Sequence, residues 1–145
     1  MTTGFVIPAK ELIDEIASKL ESEKIIEVPG WTQFVKTSSA KQNQPLQENW
    51  YYLRAGSVMR KLYFKGSIGV QNLRKLYSHP KNRGVKPEKS TPSGGKILRT
   101  ILQQLETAEM VVKDKDGRKL SPKGVSFIDK IASDLKPKIE AISQY

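Results

Sequence analysis

Arg54, Arg60, Lys61, Lys65, Arg74, Lys75, Lys81, Arg83, Lys86, Lys89, Lys96 and Arg99 crowd one segment in which Glu88 is the single acid. Outside it stand 13 basic and 14 acidic residues, so the net charge of +10 belongs to this segment alone. Lysine offers phosphate a point charge, and arginine offers a planar two-pronged fork. A one-sign segment repels itself unless a polyanion answers it, whereas an ordinary solvated face mixes signs. The pattern points to nucleic acid.

Glycine and aromatic residues accompany the charge. Gly84, between Arg83 and Val85, lets backbone N–H groups come close to phosphate, and Trp50, Tyr51, Tyr52, Tyr63, Phe64 and Tyr77 have faces on which bases can stack. Most of these rings are expected in the core. Arg54 and Arg60 are expected outside it, so alanine at both should weaken binding and leave thermal stability nearly unchanged. The candidate nucleic-acid contacts read from residue type are Gly84 and the twelve cations.

Catalysis finds little to work with. His79 follows Ser78 and precedes Pro80 with no partner in view, and reads as solvated or RNA-facing rather than as a base. "SGGK" at 93–96 fails as a phosphate loop, because Ser90 stands where a Walker motif needs glycine and Ile97 where it needs Ser or Thr. Asp114 and Asp116 are explained by a turn rather than a metal. No cysteine is present, which removes disulfides and thiolate chemistry and fits an intracellular address. The reading is of a non-enzyme without metal or cofactor. No targeting segment is expected, since Phe5-Val6-Ile7 is followed at once by an amphipathic pattern, and no run approaches the ~18 apolar residues of a membrane span.

The elements that must position these residues follow from periodicity. At 145 residues the chain can bury roughly 68–70% of its unfolded surface as one domain. Leu12, Ile13, Ile16, Ala17 and Leu20 predict a core-facing helix over 9–22. "VPGWTQFVK" predicts a short helix or turn docked by Trp31 and Phe34, and 37–49 is polar loop. From about Glu48 to Lys65, Tyr51, Ala55, Val58, Met59 and Leu62 share one face. Arg54, Lys61 and Lys65 line a neighbouring edge at i, i+7 and i+11, and Arg60 falls on the far side with Leu53 and Phe64. Apolar residues on more than one face mark a central helix. A short helix over 69–77 turns Val70, Leu73 and Leu76 or Tyr77 inward and Arg74 and Lys75 outward. Residues 78–95 read as a basic loop, mobile until a polyanion orders it. A helix over 96–108 buries Ile97, Leu98, Ile101, Leu102 and Leu105. Two strand-like runs flank Asp116-Gly117 as a hairpin, and Ser121-Pro122 opens a last helix with Val125, Ile128, Ile131, Ala132 and Leu135 inward. The fold class is all-α with one β-hairpin, a helical domain around a central amphipathic helix with a winged-helix-like part.

"VPGWTQFVKTS" (28–38), "ENWYYLRAGSVMRKLY" (48–63), "GVQNLRKLY" (69–77), "NRGVKPEK" (82–89), "GGKILRTILQQLE" (94–106) and "SPKGVSFIDKIA" (121–132) together resemble the S-nineteen-e family of small-subunit ribosomal proteins. Both ends look archaeal. The resemblance implies a helical protein in the head of the small ribosomal subunit, needed for subunit maturation and assembly. It implies small-subunit rRNA and neighbouring ribosomal proteins as partners, a cytoplasmic ribosomal location and a monomer when free. Its rRNA contacts carry over to Trp50, Arg54, Arg60, Arg99 and the 82–89 loop. The chain departs from the family at Ser78-His79, where the family has two glycines, and at Gly56, where it has alanine. Gly56 would loosen the central helix by up to ~1 kcal/mol if it were an exposed position. A DNA-binding winged-helix regulator is the alternative, but its reading helix would be 96–108, basic only in the first turn. Peripheral membrane attachment would need an apolar helix face left over, and each has a core use.

Overall fold

The computed structural model describes residues 3–143. Five helices, α1 (Ala9–Ser22), α2 (Trp50–Lys65), α3 (Val70–Leu76), α4 (Gly95–Thr107) and α5 (Pro122–Ser143), are joined by two antiparallel hairpins, β1 (His79–Arg83) with β2 (Lys86–Thr91) and β3 (Val111–Asp114) with β4 (Gly117–Leu120). The helical domain with a hairpin wing predicted from periodicity is therefore present, and a second hairpin joins it.

Helix α2 is the centre. It buries Tyr51, Ala55, Gly56, Val58, Met59 and Leu62 and touches α1, α4, α5 and β4. Each large aliphatic side chain so buried stabilises the fold by roughly 1.5–3 kcal/mol. Helix α1 sets Leu12, Ile16, Ala17 and Leu20 against it. Gly56 lies in this seam rather than on the surface: a Cβ there would stand 3.0 Å from the Ile13 carbonyl oxygen. The missing methyl thus permits close approach of two helices, and the cost expected for an exposed glycine does not apply.

Tyr63 ties three distant parts of the chain together. Its hydroxyl accepts the Gly4 N–H at 3.1 Å and donates to Asp129 Oδ1 at 2.7 Å, while Phe5 packs on its ring at 4.9 Å between centroids. A 3₁₀ turn at Gly30–Gln33 holds Trp31 against the core, but Phe34, expected to dock with it, is 78% exposed. Phe34 closes the turn, its N–H donating to Trp31 O at 3.2 Å, with its ring left in solvent.

The hairpin β3–β4 forms the wing. Asp114 pairs with Gly117, so Lys115-Asp116 make the tight turn, one residue before the centre that the Asp116-Gly117 dipeptide suggested, and Gly117 opens β4. Gly117 has φ 140 and packs on the backbone of Ile68 and Gly69, where Ile68 and Arg118 exchange N–H···O bonds of 3.0 Å each. Arg118 also pairs with Glu106 of α4. Ser121 caps α5 by accepting the Gly124 N–H at 3.2 Å, with Pro122 at the first helical position.

The hairpin β1–β2 replaces the predicted basic loop. Alternation fails to announce it because neither face is buried: every residue from Pro80 to Ser90 is exposed. Its ladder, a bulge between Lys81 and Arg83, and a turn in which Asn82 Oδ1 accepts the Gly84 N–H at 3.0 Å hold it in shape. Pro80 and Pro87 are tolerated because both strands are edges.

Candidate nucleic-acid interface

Tyr77 and Ser93 organise the basic segment. At the end of α3 the chain turns Tyr77 rather than Leu76 inward, and Tyr77 Oη donates to Ser57 Oγ of α2 at 2.7 Å. The i, i+7 spacing of Arg54 and Lys61 then brings both cations onto that ring: the Arg54 guanidinium carbon lies 4.2 Å and Lys61 Nζ 4.6 Å from its centroid. Arg54 Nη1 also donates to Ser93 Oγ at 3.3 Å.

Ser93 is 1% exposed. Its hydroxyl donates to Thr37 O at 3.0 Å, its carbonyl accepts Arg74 Nε at 2.8 Å, its N–H donates to Arg74 O at 3.1 Å, and the next N–H, from Gly94, donates to Thr37 O at 2.9 Å. The returning end of the basic stretch is therefore clamped between α2, α3 and the 37–38 loop. Arg74, expected outward, is half-buried in this clamp. A Cβ on Gly95 would lie 3.3 Å from Arg74 Cδ and 3.8 Å from Arg99 Nη2, so the first turn of α4 brings Arg99 to the same place. Cations from α2, α3 and α4 thus converge on one clamp, from which the hairpin extends.

The remaining candidates sit around it. Lys65 and Lys75 are exposed at the ends of α2 and α3, and Lys96 Nζ lies 4.8 Å from the Trp31 ring centroid. Lys81, Arg83, Lys86 and Lys89 are exposed along the hairpin, where the register sets Lys81 opposite Lys89 and Arg83 opposite Lys86. Gly84 has φ 75 at the hairpin turn, and a Cβ there would meet nothing within 4 Å. Arg60 points elsewhere: its guanidinium stacks on Phe64 at 4.3 Å, with Nε buried and without a hydrogen-bond partner. Tyr51 is core, and Trp50, Tyr52, Tyr63 and Tyr77 pack partly buried against it, as expected for most of the rings.

Electrostatics add to this picture. Among the described residues, none of the twelve cations lies within ion-pair distance of a carboxylate; the pairs that do form are Arg118 with Glu106 and Lys136 with Glu140. Burial, reinforced by Arg60, Arg54 and Lys65, pushes the Lys61 ammonium below its usual range. Burial likewise lowers Arg54, with Tyr77 opposing, and raises Tyr77. His79 is pushed down by partial burial and by the nearby charges of Lys41 and Arg54. Asp114 accepts hydrogen bonds from the Lys115 N–H and Ser67 Oγ, in keeping with a turn role. No group of three or more metal-ligating side chains occurs among the described residues, and no helix there is long and apolar enough to cross a membrane.

Sequence reasoning missed Ser93 and Thr37, because a lone serine hydroxyl and a main-chain carbonyl leave no pattern of residue types. It also placed Arg54 outside the core, whereas the side chain is wedged between Tyr77 and Ser93. Arg54→Ala is expected to cost about 1–2 kcal/mol, a fall in Tm of roughly 3–8 °C in a thermal melt. An unchanged Tm would mean that the stacked geometry contributes nothing.

Fold and site define a mainly helical protein with a hairpin wing and a basic face whose cations have no carboxylate partners among the described residues. The family model for ribosomal protein S19e matches residues 4–138. The chain is 37% identical over 129 residues to small ribosomal subunit protein eS19 of Thermoplasma volcanium, covering 89% of this chain and 86% of that one. It is 40% identical over 138 residues to eS19 of Aeropyrum pernix (93% and 90% covered), and 40% identical over 129 residues to eS19A of Saccharomyces cerevisiae (88% and 90% covered). The chain belongs to the ribosomal protein S19e family.

Proposed function

We propose that this protein is a structural, non-catalytic constituent of the small ribosomal subunit, in the head region, where it binds rRNA and is needed for the subunit to mature. The observation that carries the reading is the set of twelve cations without carboxylate partners, gathered by α2, α3, α4 and the β1–β2 hairpin in a chain of this family. Trp50, Arg54, Lys61, Lys65, Arg74, Lys75, Lys81, Arg83, Gly84, Lys86, Lys89, Lys96 and Arg99 form the contact surface, and Arg60 contributes from the far side of α2. Phosphate is met by the lysines and the hairpin backbone, and by whichever N–H groups Arg54, Arg74 and Arg99 leave uncommitted. The free protein is a monomer and works in the cytoplasm on the ribosome, beside other proteins of the head.

A tagged chain sedimented from its own cells through a high-salt gradient is expected in near-equal stoichiometry with mature small subunits. A tag confined to precursor particles would recast it as an assembly factor, and a tag left at the top of the gradient would sink the reading.

His79 supplies a pH test. Its depressed pKa means that the folded chain holds fewer protons than the unfolded one between the two values. Its contribution to stability is complete above pH ~6.5 and declines as pH falls through that window. A bound polyanion reverses the preference by favouring imidazolium. Affinity for a small-subunit rRNA fragment should therefore rise as pH falls from 7.5 to 5.5, with His79→Gln flattening the rise; an identical rise in that variant would place the titrating group elsewhere.

A further inference from the structure

Between the 37–47 loop, the first half of α2 and the start of β1 runs an open groove of about 410 Å³, within the range of small-ligand sites, roughly 300–1,000 Å³. Trp50 stands in one wall, and a second groove, floored by residues 28–33, shares that wall. The indole is held edge-on against buried Tyr51, with 5.9 Å between centroids and 83° between planes, so it is braced from behind. Lys41 and Arg54 bring positive charge, and none of the lining residues is acidic. Three carboxamides, Asn43, Gln44 and Gln47, line the same space, and no hydrogen bond holds their side chains to the rest of the described chain.

We propose that this groove is a binding site for one unpaired RNA nucleotide, its base against Trp50, its Watson–Crick or Hoogsteen edge read by the carboxamides and its phosphate met by Arg54 and Lys41. The chemistry of each wall carries the assignment. An indole face accepts any base, a carboxamide presents donor and acceptor side by side as an exposed base edge requires, and the cations balance the phosphate. A paired stem cannot fill the groove, because its bases are stacked and their edges already bonded. The inference rests on the proposed rRNA contact and adds to it: the basic face supplies charge without sequence, and this groove selects a strand with an extruded base.

The test uses the full chain with short RNA stems identical except for one unpaired nucleotide, A, G, C or U, and the same stem fully paired. Each is titrated at several salt concentrations. The native protein should bind at least one bulged stem about tenfold more tightly than the paired stem. In a Trp31→Phe background, which leaves Trp50 as the only indole, that stem should quench fluorescence while the paired stem should not. The double variant Asn43→Ala, Gln47→Ala should lose the tenfold preference and keep the salt dependence. If no bulged stem outbinds the paired one while binding stays salt-dependent, the groove assignment falls and the basic face survives. If no stem binds in a salt-dependent way, the rRNA reading falls and the groove with it. Quenching by a free nucleoside monophosphate at the affinity of the bulged stem would give the groove to a small molecule and overturn the RNA assignment.

Discussion

With Lys81, Arg83, Lys86 and Lys89 all replaced by glutamine, the slope of log K against log salt for single-stranded or bulged rRNA is expected to fall by roughly 3, about 0.7 for each phosphate no longer neutralised. Near 1 M salt, where counterion release brings little, variant and native protein should bind alike; at 0.1 M the same slope difference amounts to about 10³-fold weaker binding. Thermal stability should not fall with it. Lys81 faces Lys89 and Arg83 faces Lys86 across the ladder, and like charges directly opposite destabilise a strand pair. Their removal is expected to leave Tm unchanged or slightly higher. A variant that melts early would show that the cations hold the hairpin rather than load it, and a slope unchanged by the substitutions would remove the hairpin from the contact surface.

Two glycines with positive φ give the second large effect, because their surroundings differ. At Gly117 a Cβ would lie 2.5 Å from the Ile68 carbonyl carbon and oxygen, at the place where the wing is bonded to the linker between α2 and α3. Gly117→Ala must either break the paired Ile68 and Arg118 hydrogen bonds or push the wing off the core, and is expected to cost roughly 3 kcal/mol or more, a fall in Tm near 10 °C. At Gly84, with φ 75 and open space, alanine meets only the intrinsic left-handed penalty of about 1–2 kcal/mol. Urea unfolding of both variants separates the contributions. Equal losses would mean that Ile68 yields and that backbone conformation alone decides.

What could be read from the residues follows from what burial imprints on them. Helix α4 buries Ile97, Leu98, Ile101, Leu102 and Leu105 with a period that no strand shares, while α2, apolar on more than one face, is less one-sided. The hairpin β1–β2 buries nothing, so its sequence obeys no period, and its turn and ladder are visible only once the backbone is traced. Leu76 and Tyr77 are equivalent by spacing; a hydroxyl on Ser57 and two cations above the ring decide for Tyr77. Charge located the candidate interface, since sign is a property of residue type. The clamp at Ser93 stayed hidden because most of its bonds run to or from main-chain atoms of Thr37, Arg74, Ser93 and Gly94, which every residue possesses. Gly56 looks like a weakness in a helix until α1 is laid across it.

The junction at Tyr63 bears on how the chain is made. Gly4, Tyr63 and Asp129 meet there, so the Gly4 segment has no complete seat until Asp129, far later in the chain, has emerged. Helices α1 and α2 can pair early, but the apolar patch beneath α5 stays wet until α5 itself has emerged. A nascent chain of this protein therefore passes through a half-closed stage between the emergence of α2 and that of α5, with its basic segment already exposed. Truncation before Asp129 should leave a species that is sticky rather than merely less stable.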